Sequence, residues 1–241
     1  MKLLEMNYAD FEKAFKEPKT IIIPSGAFEV WGPHLPIGAD TIVAEEIANR
    51  LADRLGWIVG PTLPVGDSVM VWGPGTVTAR PESFKSYLED VCCSLVKHGT
   101  KRFCFINPHV GNVPIINQVA WSMKESLSIK SCVVDWWRFI QPLCTNEKIL
   151  DHEGQMAHGH ASEAGTSVFL YLRPDLVKTD RLKKGINRVK NDYPDIGQFS
   201  LFKECCDDFV IGDATAASRE KGEKIVELGL KRIIDFLNQW D

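Results

Sequence analysis

Thr20-Ile21-Ile22-Ile23-Pro24, continued by Gly26-Ala27-Phe28-Glu29-Val30-Trp31-Gly32-Pro33-His34-Leu35-Pro36-Ile37-Gly38-Ala39-Asp40, carries both the architecture and the chemistry of this chain. The apolar run predicts a buried strand bounded by turn-forming residues. Beyond it, Glu29, His34 and Asp40 stand in a Gly/Pro-rich segment. Thr41 to Leu55 then predicts a helix, because Ile42, Val43, Ile47, Ala48 and Leu51 recur at helical spacing. Carboxylates and an imidazole at a strand end form a donor set for a hard or borderline metal ion.

Outward from this stretch the same alternation repeats. Trp57 to Pro61 is a second apolar run, and Pro81 to His98 predicts a helix with Phe84, Tyr87, Leu88, Val91 and Leu95 on one side, closed by Gly99. Lys101 to Ile106 predicts a strand, Val113 to Leu127 a helix and Ile129 to Asp135 another strand. Ser162 to Tyr171 begins a further helix, and Glu220 to Trp240 forms the last, with Ile225, Leu228, Ile233, Phe236 and Leu237 as its apolar positions. This order predicts an α/β chain, a single-domain layered fold over residues 1–241 with a largely parallel central sheet flanked by helices. In such sheets ligands gather beyond the carboxyl ends of the strands. Glu29 follows one predicted strand, His109 another, and Trp136 and Trp137 a third; His158, His160 and Glu163 lie at the start of a helix.

Composition narrows the function classes. With 241 residues, 44% of them apolar, the chain can bury one substantial core, and no linker-like stretch divides it. It has no apolar run long enough for a transmembrane helix, and its first residues lack the pattern of a secretory signal. A net charge of -4 without a dense basic patch argues against nucleic acid as the main partner and says nothing finer about substrate. Seven cysteines, adjacent at Cys92-Cys93 and Cys205-Cys206 and without a Cys-x-x-Cys unit, read as free thiols of a cytoplasmic protein. Gly73-Pro74-Gly75-Thr76 lacks the spacing and the Lys-Ser/Thr ending of a phosphate loop.

Glu29 and Asp40 offer oxygen donors and His109 a nitrogen donor, which is what a divalent cation needs from a scaffold. Each also has a plainer role open to it: Asp40 as a helix cap, Glu29 as a solvated strand-end carboxylate, His109 as a hydrogen-bonded loop residue. A second cluster, Asp151 to Ser167, holds His152, His158 and His160. His160 is the candidate for proton exchange near neutral pH. Glu163 could ligate a cation or orient water, or simply favour the positive end of its helix. Trp31, Trp136 and Trp137 could wall a pocket for a small ring or planar amide, with His34 and His158 beside them; core packing is the alternative for the tryptophans.

These motifs resemble the creatininase family, the creatinine amidohydrolase superfamily. Gly26 to Asp40 is similar to its Glu-x-His-Gly-x-His-Leu-Pro signature with a following Asp, Asn107 to Asn112 to its Asn-Gly-His-Gly-Gly-Asn loop, and His160 to Ser167 to its His-Ala-Gly-x-x-Glu-Thr-Ser segment. Leu63 to Thr76 and Gly212 to Gly222 agree as well. The resemblance implies a creatininase-like cytoplasmic hydrolase using divalent zinc, manganese or iron, usually two ions, and assembling as a homo-oligomer, often a hexamer built from dimers. By position Glu29, Asp40 and His109 match the ligands of one metal, with Asp40 the usual bridge, and His160 matches a pocket histidine tied to proton transfer. The chain departs from the pattern where Trp31 replaces a second-metal histidine, Gly165 a carboxylate, and Gly111 brings none. Pro108 and Val110 replace small loop glycines. One metal position therefore reads as intact and the other as stripped. The expected function is metal-activated hydrolysis of a small cyclic amide, formamide or related carbonyl compound. Two alternatives stand beside it: C–C cleavage or isomerisation of a cyclic polyhydroxy ketone, and a non-catalytic interaction subunit that kept the fold.

Overall fold

In the computed structural model, which describes residues 1–17, 19–187 and 199–240, the chain alternates helices and strands. The elements run α1 (Tyr8–Ala14), β1 (Thr20–Pro24), α2 (Ala39–Leu55), β2 (Ile58–Val59), α3 (Pro81–Lys97), β3 (Arg102–Asn107), α4 (Val113–Leu127) and β4 (Lys130–Asp135). They continue through α5 (Trp136–Asn146), α6 (Gly154–His158), α7 (Glu163–Leu172), α8 (Phe202–Cys205) and α9 (Arg219–Leu237). The strands form one 4-stranded sheet in the order β2-β1-β3-β4. Every pairing is parallel, with Ile22 beside Val59 and Cys104, and Phe105 beside Val133. The parallel α/β class expected from the sequence is the one observed.

A parallel sheet buried on both faces needs apolar residues of both parities along each strand. β1 and β3 supply them. Ile22, Cys104 and Ile106 face one layer, packed with α2, α5, α7 and α9. Ile21, Ile23, Phe103 and Phe105 face the other, packed with α3 and α4. α2 buries Val43, Ala44, Ile47, Ala48 and Leu51, an apolar stripe at helical spacing, and ends at Gly56 in the left-handed conformation (φ +68°). α9 packs directly on α7 at Gly222, where a Cβ would lie 1.9 Å from the Ser167 carbonyl oxygen. Glycine is required there for the two helices to touch. No disulfide joins the cysteines, which are all free. Among the described residues no helix is long and apolar enough to cross a membrane.

Four elements were not visible to periodicity, among them α8, which is only 4 residues long. α1 is a short exposed helix capped by Asn7, whose side chain accepts from Ala9 and Asp10. α6 is 5 residues long, too short for a helical period to show. α5 leaves β4 without a loop and carries Pro142 inside it, although Trp136, Ile140 and Cys144 bury one clear face. Proline is a strong helix-breaking signal in a sequence, and packing overrides it here. α2 also begins two residues earlier than its apolar pattern suggests, so that Asp40 lies inside its first turn rather than before it.

The candidate metal centre

The carboxyl ends of adjacent strands deliver the polar residues to one rim. β1 leads to Glu29, β3 to His109 and β4 directly to Trp137, while the first turn of α2 supplies Asp40. Glu29, Asp40 and His109 are all buried, and one ligand atom from each lies within 4.8 Å of the others. His109 Nδ1 stands 3.2 Å from Asp40 Oδ2 and 3.3 Å from Glu29 Oε2.

The ring of His109 is oriented from behind. Its Nε2–H donates to the Asp67 carbonyl at 2.6 Å, which turns Nδ1 toward the two carboxylates, where its N–H donates to Asp40 Oδ2 at 3.2 Å. Asn107 Nδ2 donates to the His109 carbonyl at 2.6 Å. Buried Asn112 ties the loops together, donating to the Gly26 carbonyl and accepting from the Asp67 amide. Trp137 Nε1–H donates to Asp40 Oδ1 at 3.1 Å, which leaves Oδ2 facing His109.

The charges are unbalanced. Burial penalises both carboxylates; the charges of His109 and His160, with hydrogen bonds from His160 and Ser68, still hold Glu29 below the usual range. Burial and the neighbouring Glu29 charge push Asp40 upward. Burial opposes protonation of His109, yet the Glu29 and Asp40 carboxylates raise it to about 9. Glu29 Oε2 is buried and makes no hydrogen bond, being off the line of one from Nδ1. Two buried carboxylates, an imidazole nitrogen turned toward them that a metal ion would deprotonate, and an unsatisfied oxygen are the donor set of a divalent cation, and these residues fit one.

The cluster sits at the floor of a cavity of about 330 Å³ walled by Trp31, Trp137, Phe202 and Ile211, with Arg138, Gln141, Gln155 and His158 on its lining. His160 also reaches it. Its Nδ1–H donates to the Phe209 carbonyl at 2.9 Å, so Nε2, 3.4 Å from Glu29 Oε1, is the nitrogen free to exchange a proton. Trp31 is buried between His160 and Trp137, with ring centroids 4.7 and 5.3 Å away. A Cβ on Gly165 would lie 2.9 Å from Trp31 Cζ3. The indole and the glycine therefore fill one space together. At Gly111 a Cβ would lie 2.1 Å from the Asp67 carbonyl oxygen, so no side chain fits there without moving the His109 support.

Three residues expected at the site lie elsewhere. Glu163 is fully buried off the cavity, accepting from the backbone of Asp151 at 2.8 Å and His152 at 3.1 Å and from Lys221 Nζ at 2.6 Å. It staples the base of the segment carrying His158 and His160. His34 is fully buried, 2.9 Å from Thr166 Oγ1, and burial with the nearby His160 charge lowers it to about 4, which keeps it neutral. Trp136 is in the core, against Phe139 and Gly229. Conversely, the Asp67 and Phe209 carbonyls, Arg138, Gln141 and Gln155 had escaped notice. Backbone acceptors leave no mark in a side-chain pattern, although the Asn107 and Asn112 pair flanking His109 pointed to a braced loop.

A parallel α/β sheet bearing a Glu-Asp-His set over its carboxyl edge defines the class, a metal-dependent hydrolase-like scaffold. The chain belongs to the creatininase family, whose model, described as Creatininase: Creatinine amidohydrolase, matches residues 4–237. It is similar to the creatinine amidohydrolase of Pseudomonas putida, with 27% identity over 236 residues covering 91% of this chain and 88% of that one. It is also similar to the 3-dehydro-scyllo-inosose hydrolase of Thermotoga maritima, with 25% identity over 256 residues covering 97% and 80%. A solved mutant creatininase described as Zn-Zn type superposes with a TM-score of 0.86 at 25% identity, covering 99% of this chain and 97% of that one.

Proposed function

We propose that this protein is a hydrolase that uses a single divalent ion, held by Glu29, Asp40 and His109, to open a small cyclic carbonyl compound with water. The observation that carries this reading is the buried triad at the cavity floor with the unsatisfied Glu29 Oε2. Bound there, the ion would supply Lewis acidity toward a water or a carbonyl oxygen. The chain's residues do the rest. Asp67 and Trp137 fix which atoms of His109 and Asp40 face the centre. Trp31, Trp137 and Phe202 exclude bulk water from the floor, which strengthens every charge interaction made on it. His160, its Nδ1 committed to Phe209, accepts the proton of the attacking water at Nε2 and returns it to the leaving group.

The packing supports one ion rather than two. Trp31 offers no ligand, its indole takes the space beside Gly165, and Gly111 cannot carry a side chain. Zinc is supported by the Zn-Zn type relative and manganese by another described as Creatininase Mn. Both a lactam-like amide, as the name of the Pseudomonas relative implies for that protein, and a cyclic ketone, as that of the Thermotoga relative implies, meet the demand for a small carbonyl ring.

Elemental analysis of untagged protein, followed by assay of a panel of cyclic amides and ketones with and without chelator, tests the proposal. About one zinc or manganese per chain and chelator-sensitive ring opening are expected. A protein that takes up no ion on reconstitution, or an Asp40→Ala variant with full metal content and turnover, would refute it.

A further inference from the structure

We infer that Cys104 and Cys132 are a site of reversible oxidation, two thiols placed to close into a disulfide across the outer pair of strands. They are direct partners in the register of β3 and β4. Residues opposite one another on neighbouring strands project from the same face of the sheet, and both cysteines enter the layer packed by α5 and α9. His109 follows Cys104 by five residues and Trp137 follows Cys132 by five, so the bond would tie together the two strands that lead to the metal centre.

Neighbouring strands lie about 4.7–4.9 Å apart, inside the roughly 4.4–6.8 Å that a disulfide spans between Cα atoms. The Cβ atoms of such a pair are spaced much like the Cα atoms, whereas a disulfide holds them at about 3.8 Å, so closure needs a movement of about 1 Å. β4 can supply it. It is the outermost strand, paired only with β3 among the described residues, whereas β3 is fixed between β1 and β4. A disulfide closed against such strain is easily reduced, which makes this site a reversible one rather than a permanent staple.

The two thiols are unequal. Cys132 is partly exposed on the edge strand and is the sulfur an oxidant reaches, while Cys104 is fully buried. A hydrogen bond with Cys132, together with burial, pushes the Cys104 thiol well above its ordinary value, so it stays protonated until its neighbour has been oxidised. With a peroxide as oxidant the steps balance. The Cys132 sulfur takes one peroxide oxygen, becoming a sulfenic acid, and the first water leaves. The Cys104 sulfur then attacks the Cys132 sulfur; the S–S bond forms, the sulfenic S–O bond breaks, and the departing hydroxide leaves with the Cys104 proton as a second water. The sulfur pair loses two electrons and the peroxide gains them. The cysteines adjacent in sequence lack this arrangement. Cys92 and Cys93 are successive residues of α3 and point about 100° apart. Cys206 Sγ donates to Asp208 Oδ1 at 3.0 Å, and Cys205 Sγ to the Leu201 carbonyl at 3.7 Å.

The experiment treats the intact chain with hydrogen peroxide, counts thiols after denaturation and maps the digest by mass spectrometry. Two of the seven thiols should disappear, the chain should lighten by two hydrogen atoms, and one linked peptide should join Cys104 to Cys132. Excess glutathione should restore both thiols. Cys132→Ser should abolish the link, and Cys104→Ala should leave a Cys132 sulfenic acid that dimedone traps. Cys132→Ser carries the test alone if the buried substitution fails to fold. Seven unreacted thiols, a link at Cys92-Cys93 or Cys205-Cys206 in place of this one, a covalent dimer through Cys132, or Cys132 carried to the sulfinic acid beside a Cys104 thiol would overturn the inference. So would a bond that glutathione cannot reduce. These readouts concern thiols alone, so their failure leaves the hydrolase reading standing, and loss of that reading leaves this one.

Discussion

Alanine at Gly165 should change the sign of its effect on stability according to what stands at position 31. Gly165 is the third residue of α7, where alanine is a better helix former than glycine by about 1 kcal/mol. Against that gain, its Cβ would lie 2.9 Å from Trp31 Cζ3, closer than carbon atoms pack. Trp31 cannot swing away easily, because its ring is held between His160 and Trp137 and is only 4% exposed. Overpacking of this kind costs about 1–3 kcal/mol. Gly165→Ala should therefore destabilise the protein by about 1 kcal/mol, a fall in Tm of about 2–4 °C for a chain of this size. In a Trp31→Phe background the six-carbon ring no longer reaches α7, and the same substitution should stabilise by about 0.5–1 kcal/mol. Urea unfolding of the four proteins in the double-mutant cycle gives the coupling energy, expected at about 1–3 kcal/mol. Additivity within about 0.5 kcal/mol would refute the claim that indole and glycine share one space, and with it the packing argument for a single metal ion.

Glu163→Gln should cost about 1–2 kcal/mol in urea unfolding, because it removes the buried counter-charge of Lys221 and leaves only the exposed Asp151 carboxylate at 2.8 Å, and Lys221→Met in addition should recover much of it. A loss below about 0.5 kcal/mol would return Glu163 to the list of catalytic candidates. Gly111→Ala should weaken metal affinity about 10–100-fold by displacing Asp67 from His109 Nε2; competition with a chelating dye reads this directly, and unchanged affinity would show that the Asp67 support is dispensable. Stripping the metal should lower Tm, since an ion at about a hundredfold its Kd stabilises by about 2.7 kcal/mol; scanning calorimetry with and without chelator should show no difference if the triad binds nothing. His34 adds a pH dependence. Its folded pKa of about 4 lies below the ordinary 6.5, so the unfolded chain binds the extra proton and stability falls as pH drops through that window, by up to about 1.4 kcal/mol per pH unit. His34→Gln should flatten the dependence between those values, and an unaltered slope would contradict a neutral His34.

The sequence by itself determined the layered parallel architecture. Burial on both faces of β1 and β3 forces continuous apolar runs, and one-sided burial forces the helical stripes of α2 and α3. The position of Glu29, Asp40 and His109 at the carboxyl edge follows from the same alternation, since chain direction fixes which strand ends meet. Apolar patterning records which residues leave water, but it does not record which polar partner they then meet. Only the tertiary structure could show that Glu163 is spent on Lys221, 58 residues away, that His34 is spent on Thr166, 132 residues away, and that Trp136 turns inward while Trp137 turns to Asp40. The same holds for the carbonyls of Asp67 and Phe209, which set the usable nitrogen of His109 and of His160. A backbone oxygen is identical in every residue, so its placement is decided by the path of the chain and by nothing a side chain announces.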